Sequence, residues 1–245
     1  MYTLLTAADG VGSSFLLVAA DILNIGRSCS IKIQTVSSAN SDREWGPVTV
    51  TNHPLQKKFH LSPWSGVVVL GSLIHWHMYS ADKGSVILTY HVAATTAGSI
   101  ELPADVLPEG QISLNLHLTS SPDGRLILLA ADRFTVSIWL LSSTGDGWER
   151  RASIHISPLV PDLTQRWPEL CRRIEFVGAA GGRSGAVLLQ PSTINYLDRK
   201  GENRTLILLD METKEIRRIN NGDYIRSSFL YEVNLASRLS AMKIF

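Results

Sequence analysis

His75 and His77 stand two positions apart in the run Leu73-Ile74-His75-Trp76-His77. On a strand that spacing sends both imidazoles to one face, which is how a zinc site begins. Zinc needs a third and a fourth ligand. The other histidines, His53, His60, His91, His117 and His155, are scattered, with no carboxylate at a telling offset. The spacing therefore predicts polar positions on a sheet, with no metal and no other cofactor. The stretch from Gly178 through Arg183 and Ser184 to Gly185 superficially resembles a phosphate loop. A phosphate loop leads into a helix that opens on Lys-Ser or Lys-Thr, whereas an apolar strand follows here, so a hairpin link is expected. Ser13, Ser65 and Ser184 each lie near glycine, but none sits in a Gly-x-Ser-x-Gly elbow. No catalytic constellation stands out, and the sequence predicts a protein that is not an enzyme.

Charge points to the kind of partner. The 23 basic and 22 acidic residues nearly balance, and nucleic acid or an anionic membrane would call for a concentrated basic stripe. The one basic cluster, Lys214 with Arg217 and Arg218, alternates with Glu212 and Glu215 as a solvated strand face does. Protein is the expected partner, with no nucleic acid and no membrane. Only Cys29 and Cys171 occur, so no disulfide framework is indicated, and an intracellular location, cytoplasmic or nuclear, is expected. The apolar run Phe15–Ala20 is ended by Asp21 and preceded by no Lys or Arg, unlike a signal peptide. No segment approaches the ~20 apolar residues of a membrane helix. The lone sequon Asn203-Arg204-Thr205 carries no weight without a secretory route.

The elements that would position any site form a repeat. Ile31–Val36 turns to Trp45, Val86–Val92 to Ile100, Val136–Leu141 to Trp148, and Leu206–Asp210 to Ile216. Each copy is an apolar strand, a small polar turn and a strand opening on a bulky residue, a unit too small to bury its own apolar face. Trp45 is expected to pack between neighbouring units, and residues 46–62, which hold Pro47 and Pro54, read as a connector. Gly71-Ser72 and Ser121-Pro122-Asp123-Gly124 carry hairpin and turn chemistry. Asp162–Leu170 reads as one short helical turn, and Phe229–Val233 as an added strand. Leu235, Leu239 and Met242 take helical spacing. The expected fold is all-β: an antiparallel, propeller-like repeat of about four blades, partial or open, with a short C-terminal helix. The units fall at about 14–50, 64–104, 110–157 and 171–220, with a tail at 221–245, in a single domain over 1–245.

The run Leu206-Ile207-Leu208-Leu209-Asp210-Met211-Glu212-Thr213-Lys214-Glu215-Ile216-Arg217-Arg218-Ile219 resembles the strand, Asp, turn, strand of plant F-box-associated domains. Val136–Leu141 followed by Trp148, and Gly71-Ser72-Leu73-Ile74-His75-Trp76, are similar to elements of the same family. So are Tyr231–Leu235 and Ser240–Lys243 at the tail, and the likeness spans most of residues 14–243. The resemblance implies a non-enzymatic interaction module with a substrate-recognition role in ubiquitin ligation. Family members carry an F-box that docks on the Skp1 adaptor. This chain opens directly in propeller-like sequence, so binding to that adaptor is not expected. Loops at residues 38–44, 78–84, 142–147 and 178–184 are the candidates for contact with a protein partner or ubiquitination substrate. The rival expectations are a propeller hydrolase or lyase working at a central channel, and a degenerate fragment without activity.

Overall fold

Runs of β-branched, aliphatic and aromatic residues such as Val86-Ile87-Leu88-Thr89-Tyr90 favour extended backbone, and they set the strands of this chain. The structure, a computed structural model, describes residues 1–6, 9, 15–25, 28–39, 44–55, 58–62, 66–80, 84–106, 116–132, 134–159, 171–179, 185–193 and 206–219. Among them the strands fall into four antiparallel sheets, each a meander of consecutive chain. Blade 1 holds β1 (Tyr2–Leu5), β2 (Leu16–Ile25), β3 (Ser28–Ser37) and β4 (Thr49–Pro54). In blade 2 the first position is split between β5 (His60–Leu61) and β6 (Val68–Leu70), which pair with opposite ends of β7 (Leu73–Tyr79). Then come β8 (Ser85–His91) and β9 (Thr96–Glu101). Blade 3 is β10 (Leu116–Ser120), β11 (Leu126–Asp132), β12 (Thr135–Leu141) and β13 (Trp148–His155). Blade 4 is β14 (Cys171–Ala179), β15 (Ala186–Thr193), β16 (Ile207–Asp210) and β17 (Ile216–Arg218).

The sheets stack in chain order, and three apolar clusters cement them. Val18, Ile31 and Ile33 of blade 1 meet Ile74, Trp76, Met78 and Leu88 of blade 2. Ile87 on the opposite face of blade 2 meets Leu118, Leu126 and Leu128 of blade 3. Leu129, Val136 and Ile138 then meet Ile174, Val187, Leu189 and Ile207 of blade 4. A middle blade is thus buried on both faces, which is why the interior positions of β7, β8 and β11 are buried residue after residue rather than in alternation. The strands of blade 1, covered on one side, alternate instead, as β4 does along its whole length.

First strands lie toward one another, β6 against β10 and β10 against β14, while the outer strands β4 and β9 touch at the periphery. There the end of one outer strand meets the beginning of the next. The Thr51 hydroxyl donates to the Thr95 carbonyl at 3.0 Å, and Trp148 Nε1 donates to the Glu101 carbonyl at 2.9 Å. Such contacts require strongly twisted sheets set side by side, the arrangement of propeller blades. Among the described residues no apolar cluster joins blade 1 to blade 4.

Several expectations change. The first sheet begins at Tyr2, because β1 pairs with β2 from Tyr2↔Ala19 to Leu5↔Leu16. The segment 46–62 is more than a connector: β4 and β5 lie within it. As an outer strand β4 tolerates Pro54 at its end, since one edge of it needs no ladder donors. Trp45 neither opens that strand nor packs between blades. It is 42% exposed, and its ring lies 6.4 Å from that of Tyr2 in its own blade. Trp148 does open β13 and does bridge to the preceding blade. The two-residue turn of β6–β7 has Gly71 at φ +58, a conformation that glycine enters without steric cost. The helical turn read at Asp162–Leu170, the strand at Phe229–Val233 and the short C-terminal helix all lie wholly outside the described set.

Leu128 is fully buried between blades 2 and 3. Leu128→Ala should lower the unfolding free energy by about 2–5 kcal/mol, read from the urea midpoint. A loss under ~0.5 kcal/mol, the range of an inert surface change, would mean that the two blades do not share that core.

Candidate functional site

Ile74, Trp76 and Met78 on β7 face blade 1, so His75 and His77, on the other face of the same strand, turn toward blade 3. Both are buried within the sheet, at 3% and 1% exposed. His75 Nδ1 sits 3.2 Å from the Val68 carbonyl, to which it donates. His77 Nε2 lies 3.3 Å from the Ser85 hydroxyl, while its Nδ1 has no hydrogen-bond partner among the described residues. His117 on β10 is also buried and stacks on Phe176 of blade 4, ring centroids 5.5 Å apart. Burial, and secondarily the charge of His117, push the His77 pKa from 6.5 down to about 4. Burial lowers the His75 pKa too, against the opposing pull of its bond to Val68. The His75 and His77 imidazoles are neutral near pH 7 and closed to solvent, so they suit packing rather than proton transfer to a substrate.

The remaining histidines make local contacts. His53 Nε2 lies 3.1 Å from Ser99 Oγ across the blade 1–blade 2 seam. His91 Nε2 lies 3.0 Å from Ser72 Oγ, and His155 Nδ1 3.2 Å from Thr135 Oγ1. His60 sits beside the Tyr79 ring. Among the described residues no group of three or more His, Cys, Asp or Glu side chains is placed to hold a metal ion. Cys29 is buried and its thiol is pushed up to about 11 by desolvation, which leaves it inert as a nucleophile.

The four candidate loops divide between two rims. In a four-strand meander, the turns after the first and third strands fall at one end, and the turn after the second falls at the other. The 38–44 and 142–147 loops follow third strands, and the connection that includes 178–184 follows the first strand of blade 4. All three belong to one rim, whereas 78–84 follows β7 and belongs to the opposite one. The first rim also carries the turns at 92–95, 121–125 and 211–215, which the sequence did not single out as contact loops. Backbone hydrogen bonds close these turns: Ser121 N to Arg125 O, Ser142 N to Gly147 O, and Asp210 N to Glu215 O, each 2.9 Å. Arg125 is clamped to Asp123 at 2.6 Å, and the Asp210 carboxylate accepts from the backbone of Glu212 and Thr213. Residues 40–43, 81–83 and 180–184 of the candidate loops lie outside the described set.

A second surface was not legible as a site. Of the ten exposed large apolar side chains among the described residues, eight belong to blade 1 or to the segments flanking its strands. Tyr2 and Leu4 on β1 are 71% and 54% exposed, and Val48, Val50 and Trp45 lie open beside them. Among the described residues no other blade packs on the sheet face turned away from blade 2, and the Trp45 ring of the same blade lies against Tyr2 there. The signal lay in the alternation Tyr2/Leu4 and Val48/Val50, hidden because the second pair fell in a segment read as a connector.

Residues 12–245, nearly the whole chain, match one family, described as a domain of unknown function, DUF7595. The chain belongs to the DUF7595 family. A search of curated proteins gives no match. Among solved structures, this DUF7595 chain is similar to a putative TolB from Agrobacterium tumefaciens, at 14% identity and TM-score 0.41, over 83% of this chain and 60% of that one. It is also similar to the exo-beta-1,3-galactanase of Phanerochaete chrysosporium, at 11% identity and TM-score 0.40, over 82% and 49%. The Nup133 beta-propeller domain of Vanderwaltozyma polyspora gives 13% identity and TM-score 0.32, over 89% and 55%. The chain thus spans between 49% and 60% of the length of these three structures. What makes this DUF7595 chain propeller-like is its own strand order and blade-to-blade contact. Among the described residues, no helix is long and apolar enough to cross a membrane.

Because the folded pKa of His77 lies below its unfolded 6.5, the unfolded chain takes up the proton more readily. The stability owed to neutral His77 should be complete above pH 6.5 and fall as pH drops toward 4, by roughly 3 kcal/mol. His77→Gln should flatten the pH slope of urea unfolding in that window. An unchanged slope would mean that His77 protonates freely in the folded chain.

Proposed function

We propose that this chain is a non-enzymatic protein-interaction module whose recognition surface is the first rim. The observation that carries the proposal is the set of hydrogen-bonded turns at 121–125, 142–147 and 210–215, which successive stages of the blade stack hold at one end. Turns already fixed by their own hydrogen bonds lose little freedom on binding, so their polar side chains can be spent on contact. Asp123, Asp146 and Glu212 stand exposed on these turns, giving the rim polar, acid-bearing contact points. A basic or hydrogen-bond-donating protein surface would complement them.

The narrower role, recognition of a protein destined for ubiquitination, is the one implied by the likeness of Leu206–Ile219 and Gly71–Trp76 to F-box-associated domains. It agrees with a rim built for contact. The enzyme alternative would draw on titratable groups at the inner strands, where the described titratable side chain facing blade 4 is the buried His117.

The test is affinity capture with the full chain, followed by titration of each captured protein. A true partner should bind about tenfold or more weakly to a chain carrying Asp123→Ala, Asp146→Ala and Glu212→Ala together. The melting temperature of that triple variant should stay close to that of the parent. A partner bound equally well by both chains would remove the rim from recognition.

A further inference from the structure

The exposed face of blade 1 is a self-complementary surface, and we propose that it pairs with the same face of a second copy of this chain in a two-fold dimer. The proposal is independent of the rim. Charge is its first support. Across β1–β4 the outward positions described carry two charged residues, Asp21 on β2 and Lys32 on β3, both exposed and directly opposite in the ladder. A face with one acid beside one base asks for a partner with the same pair inverted. A two-fold axis lying between the two sheets, parallel to the strands and midway between β2 and β3, supplies that partner. It sets Asp21 of each copy over Lys32 of the other, and β1 over β4.

Register is the second support. Tyr2 pairs with Ala19, and Ala19 with Gln34. The β3–β4 ladder, which runs to Ile33↔Thr49, continues toward Val48 beside Gln34. The same axis therefore carries Tyr2, with the Trp45 ring that lies against it, over the Val48 edge of the second copy, while the charges meet near the centre. Side chains at cross-strand partners share a face, so these positions are presented together. Aligned packing of two twisted sheets is also how protein sandwiches bury such faces.

Area is the third. Four strands of four, ten, ten and six residues at about 4.8 Å spacing offer roughly 500 Å² per copy. The pair then buries about 1,000 Å², which reaches the lower bound of specific interfaces and makes this a weak, reversible dimer.

Sedimentation velocity on the full chain tests this. The parent should shift from monomer to dimer between ~1 and ~100 µM. Asp21→Lys alone and Lys32→Asp alone should each stay monomeric over that range, because each sets like charges face to face. An equimolar mixture of the two variants should dimerise, since every contact across the mixed interface is then opposite in sign. The mixture also serves as the folding control, because two misfolded chains would not restore a defined dimer. A parent that remains monomeric at the top concentration would overturn the proposal, as would a mixture that fails to associate.

Discussion

Burial of one sheet face against the next holds this chain together. No blade has two polar faces to offer water, so each needs a neighbour, and the clusters around Ile74, Ile87 and Leu129 meet that need one seam at a time. The seams differ in their polar content. The first is aliphatic with Trp76 and Tyr90 at its centre. The face of β7 turned to blade 3 also carries His75 and His77, which are tolerated only as neutral imidazoles. Hydrogen bonds at the periphery, from Trp148 and Thr51, fix how far one sheet is rotated on the next. The positions of the rim turns follow from that rotation.

What the residues disclosed in advance follows the range over which each signal acts. Blade 3 was legible because its signals are local: Ser121-Pro122-Asp123-Gly124 closes β10 on β11, and Trp148 opens β13. The strand β4 was not, because Pro47 and Pro54 bracket it and suggest a break. An outermost strand can bear a proline that a central one cannot. Strand β1 is four residues long, and what makes it a strand is its ladder with β2 more than ten positions away. Burial of His77 was invisible for the same reason, since what approaches it includes β10, some forty residues later.

The candidate surfaces show the same division. That 38–44, 142–147 and 178–184 share a rim while 78–84 does not is a property of the meander, and no single loop announces it. The composition of a turn, by contrast, was readable. Asp210, which opens its turn, accepts hydrogen bonds from Glu212 and Thr213 as an Asx turn requires. The outer face of blade 1 was readable only as alternation, which marks a half-buried strand but does not say what stands on its open side.

The chain order of the blades has a consequence for biosynthesis. Every sheet is one uninterrupted stretch of polypeptide, and each rests on the sheet made just before it. As the nascent chain leaves the ribosome, the strands of each sheet can pair without waiting for later chain, and the apolar face of a sheet is then covered when the next one docks on it. Maturation can therefore keep pace with translation, and a stall between two sheets would leave a shorter stack rather than a tangle.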